Sequence, residues 1–254
     1  MPHSSALVVL AEFGSEGHLV DLGGPLLRPS ERRRLGLAML RDLIERAHLC
    51  AGFDPIVAYF PPARRGEVEE SAAPHPVWAE PLGGPTPGAR AEGFLRHLLS
   101  ERAYRDAVAV LPSFPHTPRD LILRAARAVR EPPFFAFGRG PLGEVGLLAL
   151  RQEVPRGLGK ALDGPAPEEA LKALVVGAGA PARVFDLPSP LGSEDVLART
   201  HFDLRADLAS GTLSGDDVPL RTMELFDGLG LAAALRADGS VELRRVGPPR
   251  RNGA

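Results

Sequence analysis

A chain of 254 residues, 44% hydrophobic and 24% charged, is long enough for one large α/β domain and too apolar for global disorder. A formal net charge of -2 excludes a broad electrostatic footprint for nucleic acid or acidic lipid, leaving local patches such as Arg244-Arg245 to Arg250-Arg251. The lone cysteine, Cys50, excludes an internal disulfide and a multi-cysteine zinc site.

The first residues, Met1 to Ser5, lack the basic start of a signal peptide, and the apolar run Ala6 to Leu10 is too short for a signal core. No stretch approaches the length of a membrane span, so the expectation is a cytoplasmic protein with neither membrane nor nucleic acid as partner.

Ala6 to Ala11 is a continuous apolar run, the pattern of a parallel strand buried on both faces. A Gly-rich loop from Gly14 to Pro29 follows. Ser30 then reads as an N-cap for a helix whose face is Leu40, Leu43, Ile44 and Ala47, ending at Gly52. Ile56 to Phe60 is a second strand, Ala63 to Ser71 a short helix, and Pro76 to Glu80 a third strand. Gly88 to Arg105 reads as a helix with Phe94, Leu95, Leu98 and Leu99 inward, and Ala107 to Leu111 as another buried strand. Thr117-Pro118 opens a helix with the stripe Leu121, Ala125 and Val129. Phe134 to Phe137 and Val145 to Leu150 are strands flanking the loop Gly138 to Gly143. Glu168 to Val176 is helical, and Arg183 to Leu187 is a strand. Beyond it the pattern loosens into short helices over Ala206 to Ala209 and Pro219 to Leu229. A turn at Ala237 to Ser240 joins a hairpin, and a loose tail runs from Pro248. The alternation predicts a three-layer αβα domain over residues 1–230, with a central, mostly parallel sheet, and a C-terminal hairpin and tail over 231–254.

The order of motifs resembles the bacterial family of glycosyltransferase-A-like proteins known as the domain of unknown function DUF2064, related in fold to nucleotide-diphospho-sugar transferases and nucleotidyltransferases. The resemblance runs from about Ala6 to about Leu229. Leu7 to Gly17 is similar to the family's first strand and Gly-containing loop, and Pro29 to Asp42 to its first helix. Pro87 to Arg90 is similar to its Leu-Gly-Glu-Arg, and Leu111 to Pro118 sits where it has Gly-Ser-Asp-Cys-Pro-Gly-Leu-Thr-Pro. Gly138 to Leu150 stands in place of its Gly-Pro-Ala-Asp-Asp-Gly-Gly motif, and Phe202 to Leu208 resembles its Tyr-Asp-Val-Asp motif.

Four charged places in that pattern have changed. Where the family carries Lys-Thr-Arg to stabilise a diphosphate leaving group, this chain has His18, Leu19, Val20 and Asp21. The metal-binding Asp falls at or near Ser113, a poor ligand for Mg²⁺ or Mn²⁺. The paired Asp residues become Pro141 and Leu142; in the last motif Asp203 survives and its partner becomes Arg205. The resemblance therefore implies a transferase-like protein with a degenerate nucleotide and metal site. It is either a non-catalytic binding or regulatory relative without a metal or cofactor, or an active nucleotide-sugar transferase or nucleotidyltransferase with altered or absent Mg²⁺ or Mn²⁺ dependence. A nucleotide or nucleotide sugar, or a protein, is the expected partner.

The candidate site residues follow. Glu144 and Asp203 are the candidate catalytic carboxylates; for Glu144 a surface carboxylate is the favoured reading, since no partner is visible in the sequence. Gly14 to Gly17 with His18, and Gly23-Gly24, are candidate phosphate loops that match neither a dinucleotide fingerprint nor a P-loop; Glu12 and Glu16 disfavour phosphate, so a plain turn is the favoured reading. Arg90 is a candidate anion ligand or a surface ion pair of little worth. Ser113 with His116 is a candidate nucleophile and base, or a hydroxyl bonding loop backbone. Asp203, His201 and Asp207 form a metal cluster or a solvated stretch; Arg205 in their midst disfavours the metal and offers an anion ligand instead. Trp78 and Phe134, Phe135 and Phe137 read as core, and Arg32-Arg33-Arg34 as a solvated helix face. Ligands of such sheets sit at the carboxyl ends of the strands, which places Glu12 to His18, Leu111 to His116 and Gly138 to Gly146 around one cleft.

Overall fold

The computed structural model describes residues 4–14, 19, 24–132, 134–176, 183–212 and 217–247. Strand β1 (Ser5–Glu12) pairs in parallel with β2 (Asp54–Phe60) on one side and β4 (Asp106–Val110) on the other. Strand β3 (Trp78–Pro81) adds beside β2. Beyond β4 lie β6 (Val145–Arg151), β5 (Phe135–Arg139) and β7 (Arg183–Asp186), completing a seven-stranded sheet of order β3-β2-β1-β4-β6-β5-β7. Only β6 runs against the others, because it returns from β5 through the tight loop in which Gly140 N–H donates to the Glu144 carbonyl at 2.7 Å. Both faces of the sheet are covered, which is why β1 is apolar without alternation.

Helices α1 (Pro29–Leu49), α2 (Arg65–Ala72) and α4 (Arg119–Ala128) cover one face, packing Leu40, Ile44, Val68 and Ile122 against Leu7, Val9 and Val108. The other face carries α3 (Pro87–Arg96), α5 (Leu158–Leu162) and α6 (Pro167–Val176), whose Phe94, Leu95, Leu158 and Leu171 meet Val8, Leu10 and Leu148. This is the three-layer αβα arrangement expected from the alternation. A third cluster joins the first half of α1, through Leu35 and Met39, to α7 (Glu194–Ser210), α8 (Leu220–Gly228) and the hairpin β8 (Leu231–Leu235) and β9 (Val241–Arg245).

Several boundaries differ from the sequence reading. Arg28, not Ser30, caps α1: its N–H donates to the Glu31 carboxylate at 2.9 Å, and Pro29 opens the helix. Helix α3 continues only through a π-helical turn, His97–Glu101, before Tyr104 turns back and its hydroxyl donates to Asp54 at 3.0 Å. The short helix expected near Ala206 is the last part of the 17-residue α7, which Ser193 caps through Val196 N–H and Gly211 (φ 70°) closes. Helix α5 has no counterpart in the sequence reading. The basic stretch at Arg244-Arg245 is consumed within the fold, Arg244 pairing with Glu242 and Arg245 with Glu31 at 3.0 Å. Residues 248–254, including Arg250 and Arg251, lie outside the described residues. No helix among the described residues is long and apolar enough to cross a membrane.

Candidate functional site

From β1 the chain crosses to β2 on one side, while β4 joins on the other. The connections diverge there, and a crevice opens beyond the carboxyl ends of β1 and β4, where open α/β sheets hold ligands. It encloses a cavity of about 210 Å³. Leu10 and Glu12 supply one wall, Leu111 to Ser113 a second, and the start of α3 at Pro87 and Gly88 the roof; Val145 and Leu162 complete it.

Among the described lining residues the one charged group is Glu12. Its carboxylate is gripped edge to edge by Arg90, Nε donating at 3.1 Å and Nη2 at 2.6 Å. Arg90 is not the weak surface pair weighed above. It is buried, donates a third bond to the Gly84 carbonyl at 3.1 Å, and lies 3.9 Å above the Phe60 ring. A guanidinium so held has its fork already filled by carboxylate, which removes it as a ligand for a second anion.

The roof is closed by α3 against α5. Gly88 and Gly159 pack backbone to backbone; a Cβ on Gly159 would fall 2.8 Å from the Gly88 carbonyl oxygen. Asp163 accepts the Gly88 N–H at 2.8 Å, and Glu92 accepts the Gly159 N–H at 2.6 Å. Each helix thus supplies the acid that satisfies the other's first turn, so the positive end of α3 is already neutralised.

The loop between β4 and α4 divides what the sequence reading put together. Ser113 lines the cleft, and its carbonyl accepts Leu191 N–H at 2.8 Å. His116 lies on the other side of the loop, in the wall of a separate groove along α7. Burial, aided by the Arg46 guanidinium and weakly opposed by the Ser189 backbone, drives its imidazole down to about 4. The two residues form no nucleophile–base pair. Between them Phe114 lies across Gly146, where a Cβ would fall inside its ring. Gly146 therefore serves packing, not approach to a substrate.

The remaining candidates do not converge. Glu144 Oε2 accepts Leu142 N–H at 3.0 Å and presses on Gly140, so it braces its own hairpin loop. Of the Gly138 to Gly146 stretch only Val145 reaches the cleft, and Gly138 packs under Leu187. Gly14 is exposed just past β1. Gly17, His18 and Gly23 lie outside the described residues. Two positions apart on α7, Asp203 and Arg205 face different ways: Asp203 pairs with Arg199 at 3.0 Å along the groove, and Arg205 pairs with Asp227 near the hairpin. His201 is buried and stacks on Phe226, with ring centroids 3.9 Å apart. No group of three His, Cys, Asp or Glu side chains among the described residues is placed to hold a metal ion.

Three organising side chains escaped the sequence reading. Arg46, fully buried in α1, donates to the carbonyls of Pro115 and Asp217 and so fixes the β4–α4 loop. Asp42, one turn earlier, accepts N–H bonds from Arg221 at 2.8 Å and Thr222 at 2.9 Å, capping α8. Glu194 accepts from Leu26 N–H at 3.0 Å and Leu27 N–H at 2.7 Å, with Gly24 (φ 143°) folded against its carboxyl group. The amides at the far end of the Gly-rich loop are thereby occupied by the protein's own carboxylate. Pro29 with Glu31 two residues on was a local signal for the start of α1, but an arginine N-cap has no sequence signature; the three contacts above join residues more than sixty positions apart and carried no local signal.

The architecture matches solved structures over nearly all of the chain. A candidate nucleotide-diphospho-sugar transferase from Desulfovibrio desulfuricans G20 superposes with a TM-score of 0.67 at 14% identity, over 89% of this chain and 98% of that one. This is the nucleotide-diphospho-sugar transferase fold. CMP:2-keto-3-deoxy-manno-octonic acid synthetase complexed with CTP matches with a TM-score of 0.51 at 13% identity, over 82% of this chain and 99% of that one. A cytidylyltransferase from Leptospira borgpetersenii serovar Hardjo-bovis gives 0.50 at 12% identity, over 89% and 94%. No family model and no curated protein matches the sequence. At these identities the likeness is one of fold, and function rests on the site.

Proposed function

We propose that this chain is a divergent glycosyltransferase-A-like protein, related to the DUF2064 family, that has lost metal-assisted transfer and serves as a non-catalytic binding or regulatory protein. Its ligand is a nucleotide or nucleotide sugar, held in the cleft above β1 and β4 without Mg²⁺ or Mn²⁺. The observation that carries the reading is the Glu12–Arg90 clasp. Transfer from a nucleotide sugar builds negative charge on a diphosphate, which needs cations or a divalent ion beside it. Among the described lining residues the cleft offers one carboxylate, and a guanidinium already holds it. The rest of the wall is leucine, valine, alanine, proline and glycine with one serine, a surface suited to the uncharged base or sugar of a ligand.

A thermal-shift panel of nucleosides, nucleotides and nucleotide sugars, each with and without Mn²⁺, tests this. The expected result is a metal-independent rise in Tm with one base or sugar class. A rise that requires Mn²⁺, or turnover of a nucleotide sugar, would show an active transferase and overturn the reading.

A further inference from the structure

The hairpin β8–β9 is a two-stranded ribbon separate from the main sheet, so β8 keeps one edge that no strand among the described residues pairs with. The two strands differ in kind. β9 carries Glu242, Arg244 and Arg245, charges that guard an edge, whereas β8 is Leu231-Ala-Ala-Ala-Leu235, with no charge and no proline. The ladder fixes which β8 groups face outward. Val246 N–H donates to the Gly230 carbonyl at 2.8 Å and Arg236 N–H to the Ser240 carbonyl at 2.8 Å, so the bonded pairs of β8 fall on even-numbered residues. The N–H and C=O groups of Leu231, Ala233 and Leu235 therefore point away from β9. Beside them runs a groove of about 450 Å³, walled by Phe202 and Ala206 of α7, by Asp227, and by Leu231 and Ala233 themselves. Leu231 is buried in the third core cluster, while Leu235, on the same face of the hairpin, is 58% exposed.

We propose that this edge pairs with a second copy of itself, joining two chains through a four-stranded sheet of order β9-β8-β8-β9. The strand is a palindrome. Antiparallel pairing about Ala233 sets Ala233 against Ala233, and Leu231 of each chain against Leu235 of the other. Each of these pairs exchanges two N–H to C=O bonds, which uses the outward groups of all three residues. The two-fold axis keeps odd-numbered side chains on one face, so the exposed Leu235 of each chain enters the groove beside Leu231 of the other. Charge selects the same arrangement. Strand β8 starts beside Asp227 and ends at Arg236, so antiparallel pairing brings the acidic end of one copy to the basic end of the other, twice, where parallel pairing would set like on like. One short strand pair with two leucines lies at the small end of specific interfaces, so association is weak and concentration-dependent.

Sedimentation equilibrium of the full chain from about 10 µM to about 500 µM tests the assignment. Leu235→Asp brings a carboxylate to the groove wall beside Asp227, and its exposed position leaves the monomer's packing intact. Ala233→Pro removes an N–H that β9 does not use. The wild type is expected to pass from monomer to dimer across that range, and each variant to weaken association at least tenfold. Leu142→Asp, at an exposed leucine of the β5–β6 loop, should leave it unchanged. Amide exchange should slow on dimerisation at Ala233 and Leu235 and stay as it was at Ala232 and Ala234, whose N–H groups β9 already holds. A wild type that stays monomeric throughout, a dimer that Leu235→Asp leaves intact, or new protection on the even-numbered amides instead of the odd would each overturn the proposal.

Discussion

Arg90 and Glu12, 78 positions apart in sequence, meet in a two-bond clasp at the carboxyl end of β1, with the Arg90 side chain only 8% exposed. Removing one partner strands the other's charge at the mouth of an apolar cleft. Arg90→Ala should therefore lower unfolding stability by about 2–4 kcal/mol, read by urea denaturation. Glu12→Gln should cost less, because Arg90 keeps its bond to Gly84 and its place over Phe60. That variant also frees a guanidinium in the cleft, and it should gain affinity for inorganic pyrophosphate relative to the wild type in a thermal-shift titration. Equal response of the two proteins would show that the clasp is not what excludes anions.

Gly146 sits under the ring of Phe114, which is 1% exposed. A methyl group there must displace an aromatic side chain from a packed core. Gly146→Ala should cost about 1–3 kcal/mol, seen as a lower urea midpoint. Gly192→Ala, where nothing stands within 4 Å, is the control and should be near neutral.

Glu194 ties the Gly-rich loop to α7 by accepting two backbone N–H groups. Glu194→Ala leaves both without their partner and should cost about 2 kcal/mol or more. Hydrogen exchange at Leu26 and Leu27 should accelerate more than exchange in β1. Glu194→Gln, which retains one acceptor oxygen, should fall between the two.

Acid should destabilise the protein in a defined window. Burial lowers His116 and His201 to about 4 from an ordinary value of 6.5, and a nearby guanidinium, Arg46 for the first and Arg205 for the second, adds to it. The folded state resists their protonation, so the stability they confer is intact above pH 6.5 and is lost as pH falls toward 4, at about 1.4 kcal/mol per pH unit for each group. Asp42 opposes them. Burial raises it to about 6 despite the hydrogen bonds from Thr222 and Arg221, so its protonation between pH 6 and 4 favours the fold. Two groups outweigh one, and denaturation midpoints measured from pH 7 to 4.5 should fall. His201→Asn should flatten that slope, and Asp42→Asn should steepen it.

Much of the layer structure was legible because it is written locally. The unbroken apolar run Ala6 to Ala11 announces a strand covered on both faces, and the stripe Leu121, Ala125 and Val129 announces a helix packed on one. Helix α7 was read too short because its exposed face mixes Asp195, Arg199, Asp203 and Asp207 with few apolar residues, which blurs the helical period. Asp203 and Arg205 were read as one cluster because they are neighbours along the chain, and a helix turns neighbours at that spacing away from each other. Of the two readings of Ser113 and His116, the nucleophile-and-base pair fails for a similar reason, since a tight loop sent them to opposite sides of itself.

By itself the order of residues determined the alternation of strands and helices and the burial of the sheet on both faces. Those are properties of composition and short-range period, and each is contained within a window of one element. Which charges cancel was decided only in three dimensions. Glu12 finds Arg90, Gly88 finds Asp163, and the amides of Leu26 and Leu27 find Glu194, each across many tens of residues. Coulomb attraction and hydrogen bonding act over a few ångströms of space, and no periodicity along the chain records which groups folding will bring within that reach.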